Sequence, residues 1–364
     1  SAEAQLIRAI GDLAAGRLET ISDSEKDQDF DRPADRSGPG RAVDALLRRL
    51  HAGVIQLARE LLTRPKEYPE ALDTSLAHDI FTEVIDLCIA PIKGVFGNDG
   101  PSAVSVFPGP LHVAKLLLAT SEDLAAASLC RVRAPSAVDE KQWWKVIRRA
   151  AGKRPYLWRN HRAALDKGYL TKGVSAAVSF PTGGGKSTLA ELKIGASLLR
   201  GSKAVVLAPT LALVDQTAFT LQRAFSDFSV FGDLDEEITF SDVVELPEII
   251  VTTPERCLML QSLQPEAFKD VGLVMFDECH LLHPREADRS RRSIDAMLCV
   301  LNLTHLAPDA DLLLISAMMQ NAEEIAGWVA ELTGRPCLAL DLAWKPTRQA
   351  RGCVAYRANR IAEL

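Results

Sequence analysis

The chain has 364 residues, of which 47% are hydrophobic, 25% are charged and 6% are aromatic. This composition is typical of a globular protein and excludes disordered, collagen-like and fibrous classes. Lysine and arginine total 42 against 48 aspartate and glutamate residues, so the formal net charge is −6. Because this net charge would not attract a polyanion, any contact with nucleic acid must depend on a local surface.

Cysteine usage and hydropathy indicate a cellular compartment. The seven cysteines are widely scattered and form no Cys-x-x-Cys pair, which is typical of a reducing environment. The sequence shows no charged-then-apolar N-terminal signal, and no apolar run approaches the roughly 18 residues that a membrane helix needs. These observations predict a soluble, cytoplasmic protein.

The first 151 residues predict helices and one polar linker. Residues 1–21 place apolar side chains at helical spacing, which predicts an amphipathic helical arm. Residues 22–40 are charged, contain glycine and proline and are nearly free of aliphatic side chains, so we expect a flexible linker. Residues 41–151 predict an all-helical accessory region. One of its helices is expected to begin at Ser136, because Asp139 follows three residues later as in a capping box.

The pattern changes at about residue 152, where short β-branched runs begin to alternate with amphipathic stretches. This alternation predicts an α/β domain over residues 152–345, with a parallel sheet covered by helices. The runs lack polar alternation, as expected of strands that are buried on both faces. The predicted strands are 174–180, 203–208, 248–253, 271–276, 311–316 and 337–342.

A glycine-rich segment after the first predicted strand indicates phosphate binding. Three successive glycines before a helix allow backbone N–H groups to surround phosphates at the helix N-terminus. Lys186 would reach the β- and γ-phosphates, and the Ser187 hydroxyl would bind magnesium. Phe180 departs from the strict phosphate-loop pattern, and taken alone the segment could be an ordinary strand-to-helix turn. The expected nucleotide-binding residues are Thr182, Gly183, Gly184, Gly185, Lys186, Ser187 and Thr188.

Two carboxylates stand at the end of a later strand. Asp277 and Glu278 follow an apolar run 91 residues after Lys186, and ligands of open α/β sheets bind at the carboxyl ends of strands. Asp277 would hold a magnesium ion, and Glu278 would orient and polarise an attacking water. Taken alone, such a pair is usually just two solvated polar residues at the end of a strand. Together with the glycine-rich loop, it favours a catalytic site.

The ordered set PTGGGKS, APTLALVDQ, VTTPER, DECH and SAM resembles the first RecA-like motor domain of superfamily 2 helicases. TPER and DECHLL look most like the Ski-like DExH branch. The resemblance covers about residues 153–345 and implies a RecA-like P-loop NTPase fold that uses ATP and Mg²⁺.

The resemblance also implies roles for individual residues. Lys186, Asp277 and Glu278 would be catalytic, with Ser187 and Asp277 as magnesium ligands. His280 and Ser316 would couple nucleotide state to movement. His161 aligns with an adenine-reading glutamine of the family, and Met318 replaces a threonine. The expected nucleic-acid contacts are Pro209, Thr210, Thr253 and Pro254.

Two further clusters have competing interpretations. Residues 141–162 carry eight basic side chains among three tryptophans and Tyr156. They could form a nucleic-acid track, although a solvated helix face that packs its tryptophans is the favoured interpretation. Cys279, His280 and His283 have a loose metal-site spacing, but the first two belong to the DECH motif, so a zinc site is disfavoured.

These observations predict the front half of an ATP-dependent nucleic-acid helicase. Residues 346–364 would be a linker towards a second RecA-like domain. That domain and a DNA or RNA strand are the expected partners, and the isolated chain is expected to hydrolyse ATP very slowly. The alternatives are a double-strand translocase that does not separate strands, and a regulatory module that binds nucleotide without hydrolysis. The unfamiliar N-terminal region would suit a large bacterial helicase of a genome-defence (antiviral) system.

Overall fold

The fold is given by a computed structural model of the chain. The residues that it describes are 1–23, 38–64, 75–89, 91–92, 103–104, 106–232, 246–282, 291–317, 319, 321–342 and 344.

The N-terminal helices pack on one another rather than extending separately. Helices α1 and α2 both contact α3, and their apolar faces are buried there, including Leu6, Leu13 and Leu18. The predicted amphipathic arm therefore has a partner within this chain. The helices before the large sheet are α1 (Ala2–Ala14), α2 (Leu18–Asp23), α3 (Gly38–Leu62), α4 (Ser75–Cys88), α5 (Pro108–Ala126), α6 (Glu140–Ala151) and α7 (Arg159–Asp166).

Details of this region differ from the prediction. The helical character of the N-terminal region is confirmed, and the region also contains one short antiparallel pair, formed by β1 (Pro91–Ile92) and β2 (Ala103–Val104). Asp139, not Ser136, caps α6, and its carboxylate accepts a hydrogen bond from the Gln142 N–H at 2.9 Å. Most of the predicted linker lies outside the described residues, and so does the segment 346–364.

The predicted α/β architecture with a RecA-like parallel sheet is confirmed. Seven strands pair in parallel in the order β5-β6-β4-β7-β8-β3-β9. Of these, only β5 lies outside the predicted runs. The strands are β3 (Ser175–Ser179), β4 (Lys203–Leu207), β5 (Val230–Phe231), β6 (Ile249–Thr252), β7 (Val271–Asp277), β8 (Asp311–Ser316) and β9 (Cys337–Asp341).

Helices cover both faces of this sheet. Alternate strand residues point to opposite faces, so Val206 packs with α8 and α9 while Val205 packs with α10, α11 and α12. The first of these apolar clusters continues without interruption into the N-terminal helices. The covering helices are α8 (Lys186–Leu199), α9 (Leu211–Ala224), α10 (Pro254–Leu263), α11 (Arg291–Leu306) and α12 (Ala322–Thr333).

No helix in the described part of the chain is both long enough and apolar enough to span a membrane.

Candidate nucleotide and nucleic-acid site

The groups expected to handle nucleotide lie at one edge of the sheet. The glycine-rich loop follows β3, Asp277 ends β7 and Ser316 ends β8. These three strands are neighbours in the order β7-β8-β3. Because the carboxyl ends of parallel strands share an edge, residues far apart in the sequence are brought together.

The glycine-rich loop needs glycine at position 185, where the backbone lies close to the His161 side chain. Gly183 and Gly185 have φ angles of +78° and +90°, in the left-handed region that glycine adopts without strain. A Cβ atom at Gly185 would lie only 1.9 Å from His161 Nε2. Helix α8 begins directly afterwards at Lys186, so the loop ends at a helix N-terminus, where an anion is favoured.

Charged groups of the loop and of β7 face one another. Lys186 Nζ lies 3.7 Å from Glu278 Oε1, and both side chains are partly exposed. Burial raises the pKa of Asp277, the adjacent Glu278 raises it further, and Lys186 opposes this shift. The Asp277 carboxylate is therefore incompletely compensated by the protein, and a cation bound beside it would stabilise its ionised form.

The two expected coupling residues meet at Glu278. His280 Nδ1 lies 3.2 Å from Ser316 Oγ and 3.2 Å from Glu278 Oε2, while the Ser316 hydroxyl donates to Glu278 Oε2 at 3.5 Å. Glu278 has a φ of +54°, and its N–H donates to Asp277 Oδ1 at 3.0 Å. A non-glycine residue in this conformation is uncommon and is found at functional sites.

The side chain of His161 is hydrogen-bonded to the glycine-rich loop. The N–H of Trp158 donates to its Nδ1 at 3.1 Å, so the proton resides on Nε2, which donates to the Gly185 carbonyl at 2.9 Å. The side chain is buried, and burial lowers its pKa to about 4. Both ring nitrogens are therefore used by backbone groups. In this arrangement His161 supports the phosphate loop, and its expected contact with adenine stays a prediction.

Sequence reasoning missed Asn160. This residue is fully buried, and its Nδ2 donates to the Gly184 carbonyl at 3.2 Å and to the Trp344 carbonyl at 3.0 Å. It therefore ties the phosphate loop to the chain that follows β9. The available signal was its position beside His161, which aligns with a nucleotide-contacting residue of the resembling family.

The expected nucleic-acid residues follow two neighbouring strands, β4 and β6. Thr210 and Thr253 are the N-caps of α9 and α10, each accepting a backbone N–H at 3.4 Å. Thr253 and Pro254 are buried, whereas Pro209 is half-buried and Thr210 is exposed. Any contact that Thr253 and Pro254 make with a nucleic-acid strand would therefore depend on backbone groups at the start of α10.

Three of the eight basic side chains in residues 141–162 are paired within the molecule. Arg148 pairs with Glu19 at 2.8 Å, Arg149 pairs with Asp227 at 2.9 Å, and Arg154 pairs with Glu191. Its aromatic side chains are also packed or bonded, as in the hydrogen bond from the Trp143 indole to the Val132 carbonyl at 3.0 Å. These contacts agree with the packing interpretation of this cluster.

Some expected residues lie outside the described part of the chain, namely Met318 and His283. Within the described part, no group of three histidine, cysteine or acidic side chains is arranged to hold a metal ion.

Comparison with known proteins agrees with this geometry. Residues 159–325 match the family model of the DEAD/DEAH box helicases. The matched range includes the phosphate loop, the Asp277-Glu278 pair and Ser316.

Curated relatives cover the same part of the chain. It is 33% identical over 173 residues to the ATP-dependent DNA helicase Hel308 of Thermococcus kodakarensis, covering 46% of this chain and 14% of the relative. The chain is 28% identical over 179 residues to the DExH-box ATP-dependent RNA helicase DExH10 of Arabidopsis thaliana, covering 49% of this chain and 16% of the relative. The aligned part spans about a quarter or less of the curated relatives.

Among solved structures, the chain is similar to the DUF1998 helicase MrfA bound to DNA, with 19% identity and a TM-score of 0.45. That similarity covers 58% of this chain and 30% of the other.

Proposed function

We propose that this chain is a motor domain, with an accessory helical region, of an ATP-dependent nucleic-acid helicase of the Ski-like DExH branch. In this proposal it binds MgATP and a nucleic-acid backbone, and hydrolysis drives translocation or unwinding. The observation that carries the proposal is the convergence of Lys186, Glu278 and Ser316 at the ends of three neighbouring strands.

The residues present fit a magnesium nucleotide. Hydroxyl and carboxylate oxygens are the ligands that Mg²⁺ prefers, and Ser187 and Asp277 provide one of each. The raised pKa of Asp277 fits a site whose carboxylates are completed by a cation. A bound magnesium ion would supply neutralisation of the charge on the phosphates.

Glu278 is the group we assign to the attacking water. The Ser316 hydroxyl bonds one oxygen of its carboxylate, and the other oxygen faces Lys186. A carboxylate held in this way can orient water and take up its proton as the water attacks the γ-phosphate. Ser316 ends β8 and His280 follows β7, and both contact Glu278. A change in the charge next to Glu278 would therefore alter the contacts at the ends of both strands.

We further propose that rapid hydrolysis needs an arginine from a second RecA-like domain. Of the four arginines that follow the DECH motif, Arg285 and Arg289 lie outside the described residues, Arg291 lies near Asp295 at 3.7 Å, and Arg292 lies near Glu255 at 3.5 Å. The two described arginines therefore have acidic neighbours of their own. An arginine finger typically raises the rate about a thousandfold or more.

Steady-state ATP hydrolysis, with and without single-stranded DNA or RNA, tests the proposal. The 364-residue chain should bind MgATP and hydrolyse it slowly. A longer form that includes a second RecA-like domain should turn over rapidly and be stimulated by nucleic acid. Glu278→Gln in the longer form should remove turnover and spare ATP binding. If the isolated chain hydrolyses ATP at several per second, typical of complete enzymes, the need for a second domain is wrong.

A strand-separation assay on the longer form distinguishes unwinding from translocation on duplex DNA. Displacement of a labelled strand that depends on ATP supports a helicase. ATP-dependent movement on duplex DNA without displacement supports the translocase alternative.

A further inference from the structure

A cavity of about 920 Å³ lies between α7 and the segment that joins α5 to α6. Its wall combines apolar side chains, such as Val132 and Leu157, with four arginines. In the described part of the chain, Asp166 is the one acidic residue of the lining. The arginines are Arg131, Arg133, Arg159 and Arg162.

Tertiary structure, not sequence proximity, creates this cluster. Arg131 and Arg133 precede α6, whereas Arg159 and Arg162 belong to α7. Arg159 is exposed and Arg162 is half-buried. Unlike Arg148 and Arg149 in the same basic stretch, neither of them forms an ion pair with another described residue. Two guanidinium groups are thus available at the wall of a concave surface.

We propose that this arginine cavity binds the phosphodiester backbone of a single nucleic-acid strand. The inference rests on the proposed function and adds a contact surface that is separate from Thr210 and Thr253. Guanidinium groups form planar, two-pronged hydrogen bonds that match phosphate oxygens. Arg159 and Arg162, with Asp166 as the one carboxylate among the described lining residues, give the wall local positive charge on a chain whose net charge is −6.

The chemistry of the lining also specifies the kind of contact. Among the described residues no aromatic ring lines the cavity, so they offer bases no aromatic stacking surface there. The contact is therefore with backbone phosphates, with the apolar wall next to sugars, and it is independent of sequence.

Helix α7 connects this cavity to the nucleotide site. Asn160 and His161 bond the carbonyls of Gly184 and Gly185, whereas Arg159 and Arg162 line the cavity. A strand bound in the cavity would therefore contact the same eight-residue helix that supports the phosphate loop.

Fluorescence anisotropy of the full chain with a labelled oligothymidylate of about 20 nucleotides, over a series of salt concentrations, tests the proposal. The variant Arg159→Ala/Arg162→Ala should lower the affinity about tenfold or more. It should also flatten the plot of log affinity against log salt by about 1.4, because each lost phosphate contact on a single strand removes about 0.7. The control Arg8→Ala/Lys115→Ala removes two exposed charges outside the cavity and should change neither quantity.

The outcomes separate this inference from the proposed function. If wild type binds the oligonucleotide and the double variant binds with equal affinity and slope, the cavity proposal is overturned while the proposed function stands. If wild type binds neither this oligothymidylate nor an oligouridylate of the same length, both fail. If polyglutamate binds wild type but not the double variant, and the oligonucleotide binds both equally, the cavity takes an acidic protein segment and the proposal is overturned.

Folding of the variants is checked by their thermal unfolding and MgATP affinity. Arg159→Lys/Arg162→Lys keeps both charges, so it should retain the slope of log affinity against log salt. It should lose the part of the affinity that depends on the planar, two-pronged hydrogen bonding of a guanidinium group. A loss of slope in this variant would contradict phosphate binding.

Discussion

Helix α8 carries two lysines that each pair with a carboxylate, and the two pairs differ in distance, burial and hydrogen bonding. Lys193 Nζ lies 3.0 Å from Asp311 and also donates to the carbonyls of Tyr169, Thr171 and Val174. Lys186 Nζ lies 3.7 Å from Glu278.

The exposure of the two pairs explains their different roles. The Lys193 and Asp311 side chains are 2% and 6% exposed, against 18% and 30% for Lys186 and Glu278. Burial lowers the pKa of Lys193, and the Asp311 carboxylate opposes that shift. A buried pair whose lysine donates to three backbone carbonyls serves the fold, although Asp311 Oδ1 is buried without a hydrogen bond among the described residues. A loose pair next to a glycine-rich loop leaves charge available for a ligand.

The largest expected effect concerns the buried pair. Lys193→Ala should lower the free energy of unfolding by about 3–5 kcal/mol, because it leaves the Asp311 carboxylate buried with an incomplete set of partners. Urea denaturation measures this change. Lys186→Ala is the matched variant on the same helix and should change stability by less than about 1 kcal/mol. Equal losses in the two variants would contradict the distinction between the pairs.

The second effect concerns ligand binding at the loose pair. Lys186→Ala should weaken MgATP binding about a hundredfold or more, because no neutral side chain replaces an ammonium group at the phosphates. Titration calorimetry measures the affinity. If Lys186→Ala binds MgATP as tightly as wild type, the glycine-rich segment is not the nucleotide site.

The third effect concerns the support of the loop by His161. Its folded-state pKa of about 4 lies below the ordinary value of 6.5. Its contribution to stability is therefore complete above about pH 6.5 and is lost progressively as the pH falls towards 4. Between pH 7 and pH 5, wild type should lose about 2 kcal/mol from this group.

His161→Gln provides the matched control for this pH dependence. The glutamine amide is neutral over the whole range, so this variant should lose about 2 kcal/mol less than wild type between the same pH values. Urea denaturation at pH 7 and pH 5 gives the comparison. Parallel pH profiles for the two proteins would show that His161 is not the titrating group.

The smallest expected effect concerns an exposed ion pair. Arg149 and Asp227 are joined at 2.9 Å, but Asp227 is 64% exposed. Asp227→Ala should therefore change the free energy of unfolding by less than about 1 kcal/mol. A loss close to that of Lys193→Ala would mean that distance, rather than burial, decides the strength of pairing in this protein.

Much of the candidate site could be predicted because its motifs are local. A glycine-rich turn between a buried strand and a helix specifies its own backbone, and Gly183 and Gly185 take the left-handed conformations that such a turn uses. The acidic pair at the end of β7 was recognised in the same way. The structure brings these segments together because neighbouring parallel strands end at one edge of the sheet.

Other features depended on side chains that are far apart in the sequence. His161 Nε2 and the amide of Asn160 each donate to a loop carbonyl 24 residues away, which no local pattern specifies. Short β5 was missed because its two residues carry too little periodicity. The cap of α6 was placed at Ser136 rather than Asp139, since two polar residues near a helix start satisfy the same local pattern.

The sequence by itself therefore determined the α/β class, most strands of the parallel sheet and the groups proposed to bind a nucleotide, because buried strands and a glycine-rich loop are encoded by contiguous residues. Only the tertiary structure decided which charges are neutralised and which remain available. Arg148 and Arg159 belong to one basic stretch, yet the first meets Glu19 and the second lines a cavity. The physical reason is that the partner of a charged side chain depends on which distant surfaces pack against its helix.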